Sequence, residues 1–205
     1  MIKTQLSQVL GLPEEGLSSL MEEAERIDEE VKVRMGRRIP LALDEEKRPF
    51  LYAVVKTLDP KVAVETGVGP GVSTTFILSA LRTGKLYSID LGRTYEGEWG
   101  GYQVGFVVPD RLKPKWKLIL GDSKKLLAPL LEELGEIQFF LHDGEHTYDN
   151  VVFELTQAWN HMKRGVIMVD NFEFNEGTMD FCRRIGIRPL ILSKRAGGFA
   201  MIPKL

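Results

Sequence analysis

The sequence predicts an α/β protein: a doubly wound, seven-stranded, mostly parallel sheet with a C-terminal antiparallel hairpin, preceded by N-terminal helices. Three observations predict it. From residue 61 onward, short apolar runs alternate with helical segments, the pattern of buried parallel strands joined by right-handed crossovers. The last two runs, Ile187–Leu192 and Phe199–Ile202, are separated only by Ser193–Gly198, too short for a parallel crossover, so they pair antiparallel. Before residue 59 the pattern is helical: Leu17, Leu20, Met21, Ala24, Ile27 and Val31 recur at three- and four-residue steps as one apolar stripe. Together these describe a Rossmann-like sheet with an added hairpin.

The elements follow in order. Glu22, Glu23, Glu25, Glu29 and Glu30 fill the polar face of the first long helix. Residues 44–58 form another, with Phe50, Leu51, Val54, Val55 and Leu58 on its apolar side. Lys61–Thr66 is a strand stopped by Gly67, and Thr74–Leu81 a helix. The next two strands are Lys85–Leu91, with Asp90 at its end, and Trp116–Leu120, closed by Gly121-Asp122-Ser123. Lys124–Leu134 is helical despite Pro129. Ile137–His142 is a strand closed by Asp143-Gly144, Asp149–Met162 a helix, Val166–Val169 a strand running into Asp170-Asn171, and Thr178–Ile185 a short helix. The division is an N-terminal helical extension over 1–58 and a sheet domain over 59–205.

Composition bounds the function. The 205 residues carry 27 Lys+Arg against 29 Asp+Glu, a net charge of −2, which gives no bulk attraction to nucleic acid or to an anionic membrane. A single cysteine, Cys182, excludes an intrachain disulfide and a multi-cysteine metal knuckle. The first residues lack the apolar core of a signal peptide, and no apolar run approaches the roughly 20 residues that span a bilayer. The expectation is a soluble, cytoplasmic protein with no nucleic-acid or membrane partner.

The first strand runs into Glu65-Thr66-Gly67-Val68-Gly69-Pro70-Gly71-Val72-Ser73. Glycines permit a tight turn and close approach of a ligand to the main chain. The dinucleotide fingerprint G-x-G-x-x-G/A would need a small residue at position 72, where Val72 stands. Glu65, two residues before the first glycine, suits a cationic ligand group and would repel a pyrophosphate. Asp90, 25 residues past Glu65 at the end of the second strand, can accept both hydroxyls of a ribose. Turn and acid together describe a nucleoside site at the carboxyl ends of neighbouring strands.

The stretch Val64–Thr74 resembles motif I of class I S-adenosylmethionine (SAM)-dependent methyltransferases, and the resemblance extends over roughly residues 60–205. Within that class the chain is most similar to small O-methyltransferases of the catechol O-methyltransferase and cephalosporin-hydroxylase-like type. The resemblance implies that Glu65 and Gly67, with Ser73, hold the methionine end of SAM, that Gly69 and Gly71 of the same turn also bind the cofactor, that Asp90 holds its ribose, and that Asp122 and Ser123 lie against its adenine.

A second cluster closes the later strands: Asp143-Gly144-Glu145-His146-Thr147-Tyr148, and Asp170-Asn171 27 residues after Asp143. Asp143, Asp170 and Asn171 can converge as oxygen ligands of Mg²⁺ or another divalent cation, which would lower the pKa of a bound hydroxyl. The resemblance puts these three where catechol-type enzymes hold their metal, and Asp143 beside the cofactor as well. It puts His146 where those enzymes carry a lysine base. His146 is then a base, a group behind the metal ligands or a fourth ligand, and the metal itself stays open. Asp143-Gly144 as a plain turn and Asp170-Asn171 as a cap are the structural readings. By alternation His142 points away from Asp143 and is structural, as is His161 near a helix end.

Between the second and third strands, Gly92–Pro114 holds Tyr95, Trp99, Tyr102 and Phe106 among Gly92, Gly97, Gly100, Gly101 and Gly105; it walls a substrate pocket or packs as a surface loop. Arg111, Lys113, Lys115 and Lys117 read as solvated. The N-terminal helices form a lid or a homodimer contact. The expected activity is methylation of a small-molecule hydroxyl. The alternatives are an NAD(P)-dependent oxidoreductase and a non-catalytic SAM-binding protein. A nucleic-acid methyltransferase is disfavoured by the absence of an N/D-P-P-Y/F motif and of a basic excess.

Overall fold

A computed structural model describes residues 2–36, 42–92 and 101–204. The N-terminal part holds α1 (Ile2–Leu10), α2 (Glu14–Met35) and α3 (Arg48–Leu58). The sheet part runs β1 (Val62–Thr66), α4 (Val72–Ala80), β2 (Lys85–Asp90), a 3-10 turn (Asp110–Lys115), β3 (Trp116–Leu120), α5 (Ser123–Leu134), β4 (Phe139–His142) and α6 (Tyr148–Asn160). It closes with β5 (Gly165–Asp170), a 3-10 turn (Phe172–Phe174), α7 (Gly177–Ile185), β6 (Leu190–Ser193) and β7 (Phe199–Lys204). The seven strands form one sheet in the order β3-β2-β1-β4-β5-β7-β6. β1 to β5 pair in parallel, and β7 lies antiparallel to both β5 and β6. The predicted fold class is the observed one. Among the described residues, no helix is long and apolar enough to cross a membrane.

Strand alternation splits the interior in two. Ala63, Leu86, Phe139, Leu141, Val166 and Met168 face a core shared with α1–α4. Val64, Ile89, Phe140, Ile167 and Val169 face the other core, built with α5, α6 and α7. The apolar stripe of α2 finds its partner in the same chain: Leu17, Ala24, Val31 and Met35 are buried, and α2 packs on α3 and α4. Leu17, Val31 and Met35 contribute about 1.5–3 kcal/mol each on burial. The 58/59 boundary falls in the connection from α3 to β1, while the helices before it share a core with the strands after it. α3 starts with Pro49 in its first turn, where the missing N–H is no loss. Arg48 fastens that end to α2 through an ion pair with Asp28, and its Nε donates to the Leu43 carbonyl at 2.7 Å.

The segment between β2 and β3 packs behind the glycine turn. The N–H of Gly105 donates to the Gly69 carbonyl (2.9 Å) and that of Val107 to the Pro70 carbonyl (3.1 Å). Tyr102 stacks on Phe106 with ring centroids 4.2 Å apart. Tyr95, Gly97, Trp99 and Gly100 lie outside the described residues. Two of the basic residues read as solvated are engaged. Lys115 Nζ caps α4 by donating to the carbonyls of Leu78 (2.8 Å) and Leu81 (2.7 Å), and Arg111 forks onto Glu30 of α2 (2.5 and 2.6 Å).

Candidate active site

The strand register arranges the site in layers. Glu65 lies beside Ser88 of β2 and Leu141 of β4, and Leu141 lies beside Met168 of β5. Two residues further along each strand, on the same face, stand Asp90, Gly67, Asp143 and Asp170. The rim of the sheet therefore carries three aspartates and one glycine. At Gly67 φ is +81°, and an added Cβ would overlap the carbonyl of Asp143. Only glycine fits there, and it leaves a side-chain-free step between Asp90 and Asp143. A cleft of about 1020 Å³ opens over this rim and is lined by Gly67, Gly69, Asp90, Asp122, Ser123, Asp143, His146, Asp170 and Asn171. None of the described residues 101–114 lines it.

The same register corrects three expectations. Glu65 is one layer below the rim and fully buried. Its carboxylate accepts from Ser73 Oγ (2.6 Å), Thr74 Oγ1 (2.8 Å) and Ser88 Oγ (2.8 Å), so Glu65 and Ser73 are bonded to each other beneath the turn and do not reach the cleft. Burial, only partly offset by these hydroxyls, pushes the Glu65 carboxyl up to about 7. Gly71 begins α4 with φ +95° and faces Val108 and Gly105 behind the turn. The acid that shapes the turn is Asp90. Its Oδ2 accepts from the backbone N–H of Val68 (2.9 Å) and Gly69 (3.1 Å), and its Oδ1 from that of Gly92 (2.9 Å).

Asp122 is the N-cap of α5 and accepts from the Lys124 N–H at 2.9 Å. Ser123 Oγ donates to Glu154 Oε1 at 2.6 Å, so its one donor already has a partner. Glu154, on α6, is a fully buried hub that also accepts from Thr66 Oγ1 (2.5 Å) and Asn150 Nδ2 (3.1 Å) and meets His142 Nδ1 at 2.7 Å. His142 is therefore held on the face away from Asp143, as alternation predicts. His161 caps α6, with Nδ1 2.9 Å from the Gln157 carbonyl.

At the other end of the cleft Asp143 and Asp170 sit side by side. Burial and the neighbouring Asp170 charge hold the Asp143 carboxyl well above its ordinary range; burial also raises Asp170, against the pull of Lys47. His146 Nε2 lies 3.0 Å from Asn171 Nδ2. With that amide as donor, Nε2 is the accepting nitrogen, and Nδ1 is buried without a partner. Burial, reinforced by His142, lowers His146 to about 4. The ring is thus a weaker base than an ordinary histidine, and its accepting nitrogen is occupied, which argues against its expected role as the base.

The residues present do not fit a divalent cation. Lys47 Nζ, 1% exposed, donates to Asp170 Oδ1 at 2.5 Å and to the Ala196 carbonyl at 2.7 Å. An ammonium already stands against one oxygen of Asp170, so a metal on that carboxylate would sit beside a like charge. Asn171 presents its Nδ2 to His146, and its Oδ1 lies against Gly197. Sequence reasoning missed Lys47, Glu154 and Phe174, whose ring is 62% exposed at the cleft and packs edge-on against His146. Glu154 had a signal: it falls on the α6 face that buries Val151, Leu155 and Ala158.

Comparison with known proteins bears on the fold and the family. Three of the solved structures that share the fold illustrate it. A methyltransferase from Geobacter sulfurreducens superposes with a TM-score of 0.61 at 17% identity, over 92% of this chain and 88% of that one. The O-methyltransferase TomG from Streptomyces achromogenes, involved in tomaymycin synthesis and solved with SAM, gives 0.59 at 16% identity over 98% and 95%. An O-methyltransferase from Bacillus cereus in complex with SAH gives 0.56 at 15% identity over the whole of both chains. No curated protein matches the chain. Residues 64–172, more than half of the sequence and the whole of the rim from β1 to Asp170, match a family model described as a methyltransferase domain, and the chain belongs to that methyltransferase family.

Proposed function

We propose that this methyltransferase uses SAM to methylate the hydroxyl of a small molecule. The observation that carries the reading is the rim itself: Asp90 and Asp143 flank the bare step at Gly67 in one cleft, so a nucleoside and an acceptor oxygen are held on either side of one narrow gap. The residues suit the cofactor. Asp90 retains lone pairs for ribose hydroxyls, and Asp122 keeps one carboxylate oxygen for an exocyclic amine. Leu91, 56% exposed at the cleft beside Asp90, offers an apolar surface to a base. The methionine end would meet the backbone of Gly67 and Gly69, since Glu65 and Ser73 are sealed below.

SAM supplies an electrophilic methyl group on a sulfonium. The chain's part is to align an acceptor oxygen with it and to keep water out. Asp143 at the rim accepts the acceptor's hydroxyl hydrogen, and Phe174 presents a ring face to its carbon skeleton. Bound SAM would supply the methyl group and keep the sulfur's bonding pair, and the Asp143–Asp170 pair in its ionised form would take the hydroxyl proton and pass it to solvent.

Calorimetric titration with SAH tests the cofactor. Saturable one-to-one binding is expected, and the absence of heat at millimolar SAH rejects the reading. Asp90→Asn keeps one oxygen for the Val68 and Gly69 amides, loses the acceptor for Gly92 and removes one ribose partner. It is expected to weaken SAH binding about tenfold, the equivalent of one hydrogen bond of roughly 1.4 kcal/mol. Release of SAH across a panel of hydroxyl, amine and thiol acceptors tests the acceptor. Turnover confined to amines or thiols would overturn O-methylation and leave methyl transfer standing.

A further inference from the structure

Lysine is among the residues least often fully buried, and it is buried only when paired. Lys47 is such a case, and its pairing is built from distant parts of the chain: Asp170 closes β5, and Ala196 lies in the turn between β6 and β7. Ala196 has φ +47°, an uncommon conformation for a residue with a side chain, and its carbonyl accepts from Lys47. Two of the three ammonium hydrogens are accounted for. Among the described residues no third acceptor lies within hydrogen-bond distance, and Lys47 lines the cleft with Asp143 and Asp170. The stem enters from the start of α3, which Arg48 clamps to α2, so the ammonium is held on a rigid element.

We propose that the Lys47 ammonium is the resident cation of the acceptor end of this site, standing where a divalent metal would otherwise stand, and that its third N–H holds the oxygen being methylated. A Mg²⁺ ion needs oxygens at about 2.0–2.1 Å and near-octahedral order. A metal on Asp170 would have to displace Lys47 or sit beside a like charge in a largely buried place. Its third protein oxygen would have to come from Asn171, whose amide is turned to His146 and Gly197.

The proposal rests on the O-methyl reading and narrows it. A metal with open positions can chelate two neighbouring oxygens of a diol, whereas one N–H serves one oxygen. The acceptor class is therefore a molecule with a single reacting hydroxyl, for which a vicinal second hydroxyl is dispensable. The negative charge that develops on that oxygen is met by Lys47 while Asp143 takes the hydrogen. No co-reactant beyond acceptor and SAM is needed.

The test starts with wild-type protein treated with chelator and then titrated with Mn²⁺ alone, followed by electron paramagnetic resonance. No binding tighter than about 1 mM is expected. Methyl transfer to the hydroxyl acceptor chosen from the panel above is expected to be unchanged within twofold by EDTA. Lys47→Met keeps the apolar stem and loses the cation. It is expected to bind SAH within threefold of wild type while kcat falls at least a hundredfold, with Lys47→Arg recovering part of the loss. Micromolar Mn²⁺ binding that disappears in Asp170→Asn, loss of turnover in EDTA, or a Lys47→Met kcat within threefold of wild type would each overturn the proposal. Failure of wild-type protein to bind SAH would instead sink the parent reading. If Lys47→Met does not fold, the two wild-type measurements still decide.

Discussion

Two glutamates lie buried on opposite faces of the sheet just below the rim, and they ionise in opposite directions. Glu65 points into the α4 side and meets three hydroxyls, those of Ser73, Thr74 and Ser88. Glu154 points from α6 into the other side and meets Thr66, Ser123, Asn150 and the ring of His142. Burial is the largest influence on both and raises both. For Glu65 the hydroxyls fall short and Asp90 adds repulsion, so the carboxyl ends at about 7. For Glu154, His142 supplies a hydrogen bond and a favourable charge, and with Ser123 and Thr66 it outweighs burial, so the carboxyl ends below its ordinary range. Neutral donors alone do not keep a buried carboxylate ionised here; a partner able to carry positive charge does. At the rim Lys47 opposes the effect of burial on Asp170 without overcoming it, so that carboxyl stays above its ordinary range.

Breaking the stronger hub gives the largest effect. Glu154→Ala leaves His142 Nδ1, Thr66 Oγ1 and Asn150 Nδ2 in the buried interior, and Ser123 Oγ at the cleft edge, without their shared acceptor. The expected loss is about 3–5 kcal/mol. The melting temperature should fall by roughly 10 °C, read by differential scanning calorimetry. A fall of a degree or two would mean that water replaces the carboxylate and that the hub is not closed.

The weaker hub can be sharpened. Because Glu65 binds its proton more tightly folded (about 7) than at its ordinary value of 4.5, the folded protein holds more protons than the unfolded one between those values. Stability from this group is full below about pH 4.5 and is lost as pH rises through about 7. Glu65→Gln cannot ionise. Its stability relative to wild type should grow by roughly 3 kcal/mol from pH 4 to pH 8 in urea titrations at fixed ionic strength. A constant difference across that range would show that Glu65 titrates folded as it does unfolded, and would remove its upward shift.

The rim was readable because parallel strands bring their carboxyl ends to one edge, so Asp90, Asp143 and Asp170 could be collected from three separate runs. Which acid reaches the cleft was not, since that depends on register. Glu65 and Asp90 lie on one face but in different layers, and pairing Glu65 with Ser88 puts it underneath. Lys47 was illegible for a plainer reason. It sits among Asp44, Glu45, Glu46 and Arg48 on the polar side of the helix expected over 44–58, and its partners are 123 and 149 residues away. The stripe of α2 announced that it must be buried, but not that α3 and α4 would cover it. The loop aromatics Tyr102 and Phe106 stacked on each other behind the glycine turn, an outcome that composition leaves open.

The smallest effect lies one bond behind Glu65. Ser88 has a single O–H, and Trp116 Nε1 donates into its oxygen at 2.9 Å, which directs the hydroxyl hydrogen to Glu65 Oε2. Trp116→Phe keeps an aromatic ring over Gly105 and removes that donor, at about 1 kcal/mol. Hydrogen bonds to an ionised acceptor are about twice as strong as neutral ones, so the loss should be larger at pH 8, with Glu65 charged, than at pH 5, with it protonated. Combining the change with Glu65→Gln should make the loss the same at both pH values. If the single variant already loses equally at both, Trp116 contributes packing alone, and Ser88 is oriented by the carboxylate without help from the indole.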